Sequence, residues 1–292
     1  MAMTDAGEII WRYMDLAKYV GLLSRGLFFA QASAFSDPWE GAWSVHEVTR
    51  FREENVALSR AAIAAAWQER YDRKRDSFKW VGMSCWHISP TENAALWDMY
   101  VPLGMGIALR STLTRVAASL KSIGRSCQWR AVEYSDYEER PTGSDPVNLL
   151  SHKRQEFAFE KELRFFIELR QEEIDAIEMM GMTMTSRTTR HVAAGPIGPL
   201  IWTTGRGYVS FDITLDRRAA PGGIHCETSA TDIIEAVYLA PSVSYQVRRA
   251  VIDVTERFGV SRKLIREATM SMVPPDRLEF HDPMNKWKEP IG

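Results

Sequence analysis

Residues 160–164 read Glu-Lys-Glu-Leu-Arg and run into Phe165-Phe166. In an extended strand, side chains two apart share a face. Glu160, Glu162 and Arg164 then fall together, with Lys161, Leu163 and Phe165 opposite. Two carboxylates and a guanidinium on one face are costly to bury unless they pair. One reading is an ion-pair ladder in which Arg164 neutralises the acids. The other is a site for a cationic centre. There one carboxylate orients a sugar hydroxyl while its neighbour supports an oxocarbenium-like transition state or activates a nucleophile. Arg12-Tyr13 is a second candidate, because an Arg fork matches the geometry of phosphate or carboxylate. Its structural alternative pairs Arg12 with Glu40 or Asp37 and packs Tyr13 in the core. Trp97 and Tyr100, three apart, share one face of a predicted helix. With Trp80 and Trp86 they build either core or a wall for stacking a nicotinamide or adenine ring. No metal is expected, because neither Cys85/His87 nor His225/Cys226 is joined by a second ligand pair at a useful spacing.

These residues need elements to hold them. Residues 8–13 are β-branched and aromatic and predict a strand; 15–24 carry apolar residues at helical spacing, with Asp15 as N-cap and Gly26 as stop. Strands are predicted at 26–30, 80–86, 104–110, 129–135, 163–169, 206–213 and 232–240. Residues 44–76 form the longest helical region, opened by a capping box of Ser44 and Glu47. Its charge run at 69–76 predicts a solvated face. Further helices are predicted at 91–100 with Thr91 as cap, at 111–124, over part of 146–160, and at 242–258 with Ser242 as cap. Stretches 35–41, 181–200 and 219–223 are rich in breakers and predict turns or loops. Strands and helices mix without regular alternation, so the predicted class is α+β. It is predicted as one domain over 1–270 with a C-terminal tail over 271–292.

The chain has 292 residues, enough to bury a core without disulfides or metal. Lys+Arg is 36 against Asp+Glu 38, a net charge of −2, which argues against a strongly basic nucleic-acid binder. Three cysteines are too few and too scattered for a disulfide framework and fit a reducing cytoplasm. No apolar run is long enough for a membrane span, and the N-terminus lacks the apolar core of a signal peptide. Phosphate-loop, HExxH, GxSxG and EF-hand motifs are missing.

The ordered series WRYMDL (11–16), FSDPWEG (35–41), SCWH (84–87), ENAALWDMY (92–100), GMGIALRST (104–112), AVEYSDY (131–137), HKRQEFAFEKELRFF (152–166) and DIIEAVYLAPSVS (232–244) resembles the bacterial family called domain of unknown function 2971. More distantly, the order of an Arg in the first strand, a Ser in a middle strand and Glu-x-Glu opening a late strand resembles ADP-ribosyltransferases. That resemblance implies split antiparallel β-sheets with flanking helices, clamping NAD as substrate. It implies that Arg12 holds the NAD phosphates or ribose and that Ser84 is the middle-strand serine, here in Ser-Cys-Trp rather than Ser-Thr-Ser. Glu162 is then the catalytic carboxylate and Glu160 its helper, with Tyr13, Trp97 and Tyr100 lining the cofactor. LLSRGLFF (22–29) resembles the opening of nucleic-acid-directed members. The implied role is a cytoplasmic toxin or phage-defence effector that modifies a nucleic acid or protein and is paired with an operon-encoded partner such as an antitoxin. The alternative is a non-catalytic nucleotide or nucleic-acid binding module.

Overall fold

Asp15 ends one element and starts the next. It closes β1 (Ile9–Asp15), and its carboxylate accepts from the Lys18 amide to cap α1 (Leu16–Arg25). This computed structural model describes residues 7–269 except 36, 38, 102–105, 137, 139–142, 186–199, 205–206, 212–217 and 242; over 181–185, 200–204 and 207–211 it describes the backbone alone. The predicted tail over 271–292, most of the loop at 181–200 and the Ser242 cap therefore lie outside the described residues. Gly26 stops α1 at φ 85, where a Cβ would stand 1.9 Å from the Cys226 carbonyl oxygen. Only glycine fits that turn into β2 (Leu27–Gln31).

The predicted helix over 44–76 is two helices, α2 (Val45–Glu54) and α3 (Arg60–Phe78), each with its own N-cap, Ser44 and Ser59. Ser44 Oγ accepts from the Glu47 amide, but the Glu47 carboxylate pairs with Arg50 and Arg70 instead of completing a capping box. Glu47 is fully buried, and the Arg70 guanidinium lies over Trp43 at 5.1 Å and Phe51 at 5.5 Å. The 69–76 run is thus only partly a solvated face.

Next come β3 (Val81–Ile88), α4 (Ala94–Tyr100), β4 (Gly106–Thr112), α5 (Leu113–Ser122), β5 (Cys127–Ala131) and β6 (Glu133–Tyr134). Asn93, not Thr91, caps α4, because its side chain accepts from the Ala95 amide. The partly helical 146–160 segment resolves into α6 (Pro146–Leu149), β7 (His152–Lys153) and a 3-10 turn at Gln155–Glu160. Then follow β8 (Glu162–Glu168), α7 (Gln171–Thr185), and β9 (Leu200–Thr204) paired with β10 (Gly207–Phe211). The last elements are β11 (Ala219–Ala220), β12 (Gly223–Cys226), α8 (Ala230–Ile233), β13 (Ala236–Leu239), α9 (Tyr245–Arg257) and β14 (Ile265–Glu267). Ser244 caps α9.

The fold is α+β, with a mostly antiparallel sheet. Ten strands join in it among the described residues, along the path β11-β12-β2-β3-β1-β4-β13-β14, with β8 on the other edge of β3 and β5 beyond β8. β8 runs the length of β3, from Val81↔Glu168 to His87↔Glu162. The opposite edge of β3 is divided: Gly82 and Met83 pair with β2, and His87 and Ile88 pair with β1. β1 and β2 diverge between those points, beside Ser84, Cys85 and Trp86. One face of the sheet carries Ile10, Trp86, Leu163, Phe165 and Ile167 into a core shared with α1, α5, α7 and α9. The other carries Trp11, Tyr13 and Trp97 in one cluster, and Met83, Phe166 and Trp43 in another. Burying one such apolar side chain contributes about 1.5–3 kcal/mol. No helix among the described residues is long and apolar enough to cross a membrane.

Candidate functional site

Arg12 faces the divergence of β1 and β2. Its Nη1 donates to Ser84 Oγ at 3.0 Å, and its Nη2 to the Phe28 carbonyl at 3.3 Å. The guanidinium lies 5.7 Å from the Trp86 ring centroid. One side chain on β1 thus bridges β3 and β2 where the backbones do not pair. Burial lowers the Arg12 pKa to about 10, and the neighbouring Cys85 offsets this only in part. Arg12 stays charged at neutral pH. Among the described residues no carboxylate pairs with it: Glu40 binds Arg164, and Asp37 lies by Arg154 at 3.9 Å. The expected alternative pairing of Arg12 with Glu40 or Asp37 is therefore corrected.

On the opposite face of β3, Arg164 is forked twice. Its Nε and Nη2 meet Glu162 Oε1 and Oε2 at 3.0 and 2.9 Å, and its Nη1 and Nη2 meet Glu40 Oε2 and Oε1 at 2.9 and 3.0 Å. Lys153 Nζ donates to Glu160 Oε2 at 2.5 Å and reaches Glu162 Oε2 at 3.5 Å. Tyr134 Oη accepts from the Glu162 amide at 2.8 Å, and Tyr100 Oη donates to Glu160 Oε1 at 3.4 Å. Glu40, Glu160 and Glu162 set three negative charges against the two positive charges of Lys153 and Arg164. Burial raises the Glu162 pKa, but Arg164 and Lys153 outweigh it and hold the carboxyl at about 2. His87 Nδ1 donates to the Glu160 carbonyl at 2.5 Å, and burial keeps this imidazole below its ordinary pKa.

The two groups do not meet. Ser84 pairs with Phe165 and Trp86 with Leu163, on the face of the larger core; Cys85 pairs with Arg164 and His87 with Glu162, on the other. Strand alternation therefore separates Arg12 and Ser84 from Glu160 and Glu162. The expectation that Arg12 and Glu162 share one cleft is corrected for this reason. The predicted strand face of Glu160, Glu162 and Arg164 also changes. β8 begins at Glu162, Lys161 is left-handed at φ 40, and Glu160 ends the preceding 3-10 turn. Its carboxylate reaches the cluster from there.

The aromatic residues divide as well. Trp97 is 4% exposed, meets Tyr13 edge-on at 5.1 Å and donates from Nε1 to Glu92 Oε2 at 3.0 Å. Core packing thus occupies its ring, against β1 and β4 rather than the 80–86 strand. Tyr13 is buried, and its hydroxyl accepts from the Asn93 amide. Of the expected wall, Tyr100 (47% exposed) and Trp80 (43%) reach solvent, while Trp86 and Trp97 are buried. Among the described residues no group of three or more His, Cys, Asp or Glu side chains converges as metal ligands. Lys153 and Tyr134 were not singled out by spacing, since they come from segments apart from the Glu-x-Glu motif, and Glu40, considered only as a partner of Arg12, binds Arg164 instead. Comparison of the chain with family models, with curated proteins and with solved structures finds no match in any of the three.

Proposed function

We propose that this protein is a nucleotide-binding module whose phosphate anchor is Arg12, held by Ser84 at the divergence of β1 and β2. The carrying observation is a half-buried guanidinium that spans three strands and has no carboxylate partner among the described residues. A charge held in that way gains most from a ligand that supplies the missing anion. The divided edge of β3 and the Arg12–Ser84 contact support the ADP-ribosyltransferase-like side of the reading, so NAD is the nucleotide to test first. Binding is favoured over ADP-ribosyl transfer because the Glu162 carboxylate is forked by Arg164 on the other face of the sheet.

The test is equilibrium binding of NAD to wild type, Arg12→Gln and Ser84→Ala, with nicotinamide release followed in parallel. Wild type should bind without releasing nicotinamide. Arg12→Gln should weaken binding by about 10-fold to 100-fold, the worth of one charge-assisted contact. Ser84→Ala should weaken it less. Equal affinity of wild type and Arg12→Gln would remove Arg12 as the anchor. Nicotinamide release that vanishes in Glu162→Gln would overturn binding without turnover and restore the transferase.

A further inference from the structure

Lys74 of α3 ends in a box of aromatic rings. Its Nζ lies 4.4 Å from the Trp43 ring centroid, 5.1 Å from Tyr71 and 5.7 Å from Phe78. The Gly41 carbonyl closes the box and accepts from Nζ at 3.2 Å. Gly41 reaches that place by turning at φ 65, where a Cβ would stand 2.5 Å from the Phe78 ring. A second cation shares the Trp43 ring, because the Arg70 guanidinium lies 5.1 Å from the same centroid. The acids on the elements around the box are engaged elsewhere. Glu47 of α2 holds Arg70 and Arg50, Asp76 of α3 lies by Lys79 at 3.5 Å, and Glu40, next to Gly41, is forked by Arg164. Asp145 caps α6, which packs on α3, and the 3-10 turn at Ala32–Ala34 carries no charge. Among the described residues no carboxylate pairs with Lys74. Tyr71 is 42% exposed, so the box opens to solvent past its ring.

We infer that Lys74 is a nucleophilic lysine that takes up an aldehyde as an imine, at a site separate from Arg12 and independent of the nucleotide reading. A lysine held among rings, beside a second cation and without a counter-ion, loses much of the advantage of its charged form. Burial lowers the Lys74 pKa to about 8. About a fifth of the amine is then neutral near pH 7.4, against about a thousandth for an exposed lysine. In the reaction the neutral amine places its lone pair on the aldehyde carbon. A C–N bond forms, and the carbonyl oxygen leaves as water with the two amine protons, so no oxidant or reductant is required. The exposed Tyr71 ring and the Trp43 ring suit an aldehyde with a flat aromatic body.

The test is labelling of the full-length protein with salicylaldehyde, trapped by cyanoborohydride and assigned to individual lysines by peptide mass spectrometry. Lys18, exposed and paired with Asp15 at 3.4 Å, is the internal reference. At about pH 7.5 Lys74 should label at least about tenfold faster than Lys18. Its rate should level off above about pH 8, whereas that of Lys18 should still be rising at about pH 10. Tyr71→Glu, at an exposed position one turn before Lys74, supplies the missing carboxylate. It should slow Lys74 labelling at about pH 7.5 by about tenfold and move the plateau to higher pH. Lys74→Arg keeps the charge and should abolish the fast-labelled site. Equal rates for Lys74 and Lys18 overturn the inference, and so does a Lys74 rate that Tyr71→Glu leaves unchanged.

Discussion

Glu162 is the residue at which chemistry and stability compete. A carboxylate that stabilises a cationic transition state must present charge to a ligand, whereas Glu162 spends both oxygens on Arg164. The same pairing has a pH signature. Glu162 titrates at about 2, below the ordinary 4.5, because Arg164 and Lys153 outweigh burial. A carboxyl with a depressed folded-state pKa stabilises the fold fully above its ordinary value. That contribution is lost as pH falls from 4.5 toward about 2. Urea midpoints measured between about pH 5 and pH 3 should therefore fall for wild type and fall less steeply for Glu162→Gln. Parallel slopes in the two proteins would show that Glu162 is not ion-paired in solution. Arg12 is the opposite case: its type and its place in a strand were legible from the sequence, but that no carboxylate among the described residues pairs with it was not.

At the scale of elements, local signals served where the element is closed by its own neighbours. Asp15 and Gly26 bracket α1 as predicted, because a cap and a stop act within one turn of the helix. The 44–76 region divides between Glu54 and Arg60, where Ser59 caps α3, and the buried Glu47–Arg70 pair, 23 residues apart, ties the two helices together. The 232–240 strand shortened to Ala236–Leu239 because Ala230–Ile233 turns as α8. Glycines give a sharp test of this division. Gly26 has φ 85 with a backbone oxygen 1.9 Å from the added Cβ, whereas Gly124 has φ 71 and nothing within 4 Å. Gly124→Ala should cost about 1–2 kcal/mol, from backbone strain alone. Gly26→Ala should cost clearly more, since the contact with Cys226 adds to the strain. Chemical denaturation of both variants measures the difference, and equal losses would mean that the turn at Gly26 relaxes freely.

At the scale of the molecule, one sheet gathers strands from Ile9 to Glu267, and β1, near the start of the chain, stands between β3 and β4. Trp86, Trp97 and Trp43 lie in three separate apolar clusters on its two faces. Because β1 joins the Trp86 cluster to the Trp97 cluster and β3 joins it to the Trp43 cluster, the three should unfold together. Tryptophan fluorescence and far-UV circular dichroism should trace coincident denaturation curves, and two separated transitions would contradict a single cooperative unit. The sequence by itself determined the α+β class, the first strand-helix-strand unit, and the residue types at β1, β3 and β8 that could do chemistry. Periodicity and capping are near-neighbour physics, and they need only a few residues to act. Only the tertiary structure decided which of those residues meet. The pairing of β3 with β8 sets Ser84 and Glu162 on opposite faces, and a register shifted by one residue would have set them on the same face. The divergence of β1 from β2 likewise gives Arg12 its gap, and β12, some 200 residues on, pairs along the far edge of β2. Register and strand order are set by long-range packing of whole faces, and no short window of sequence contains that information.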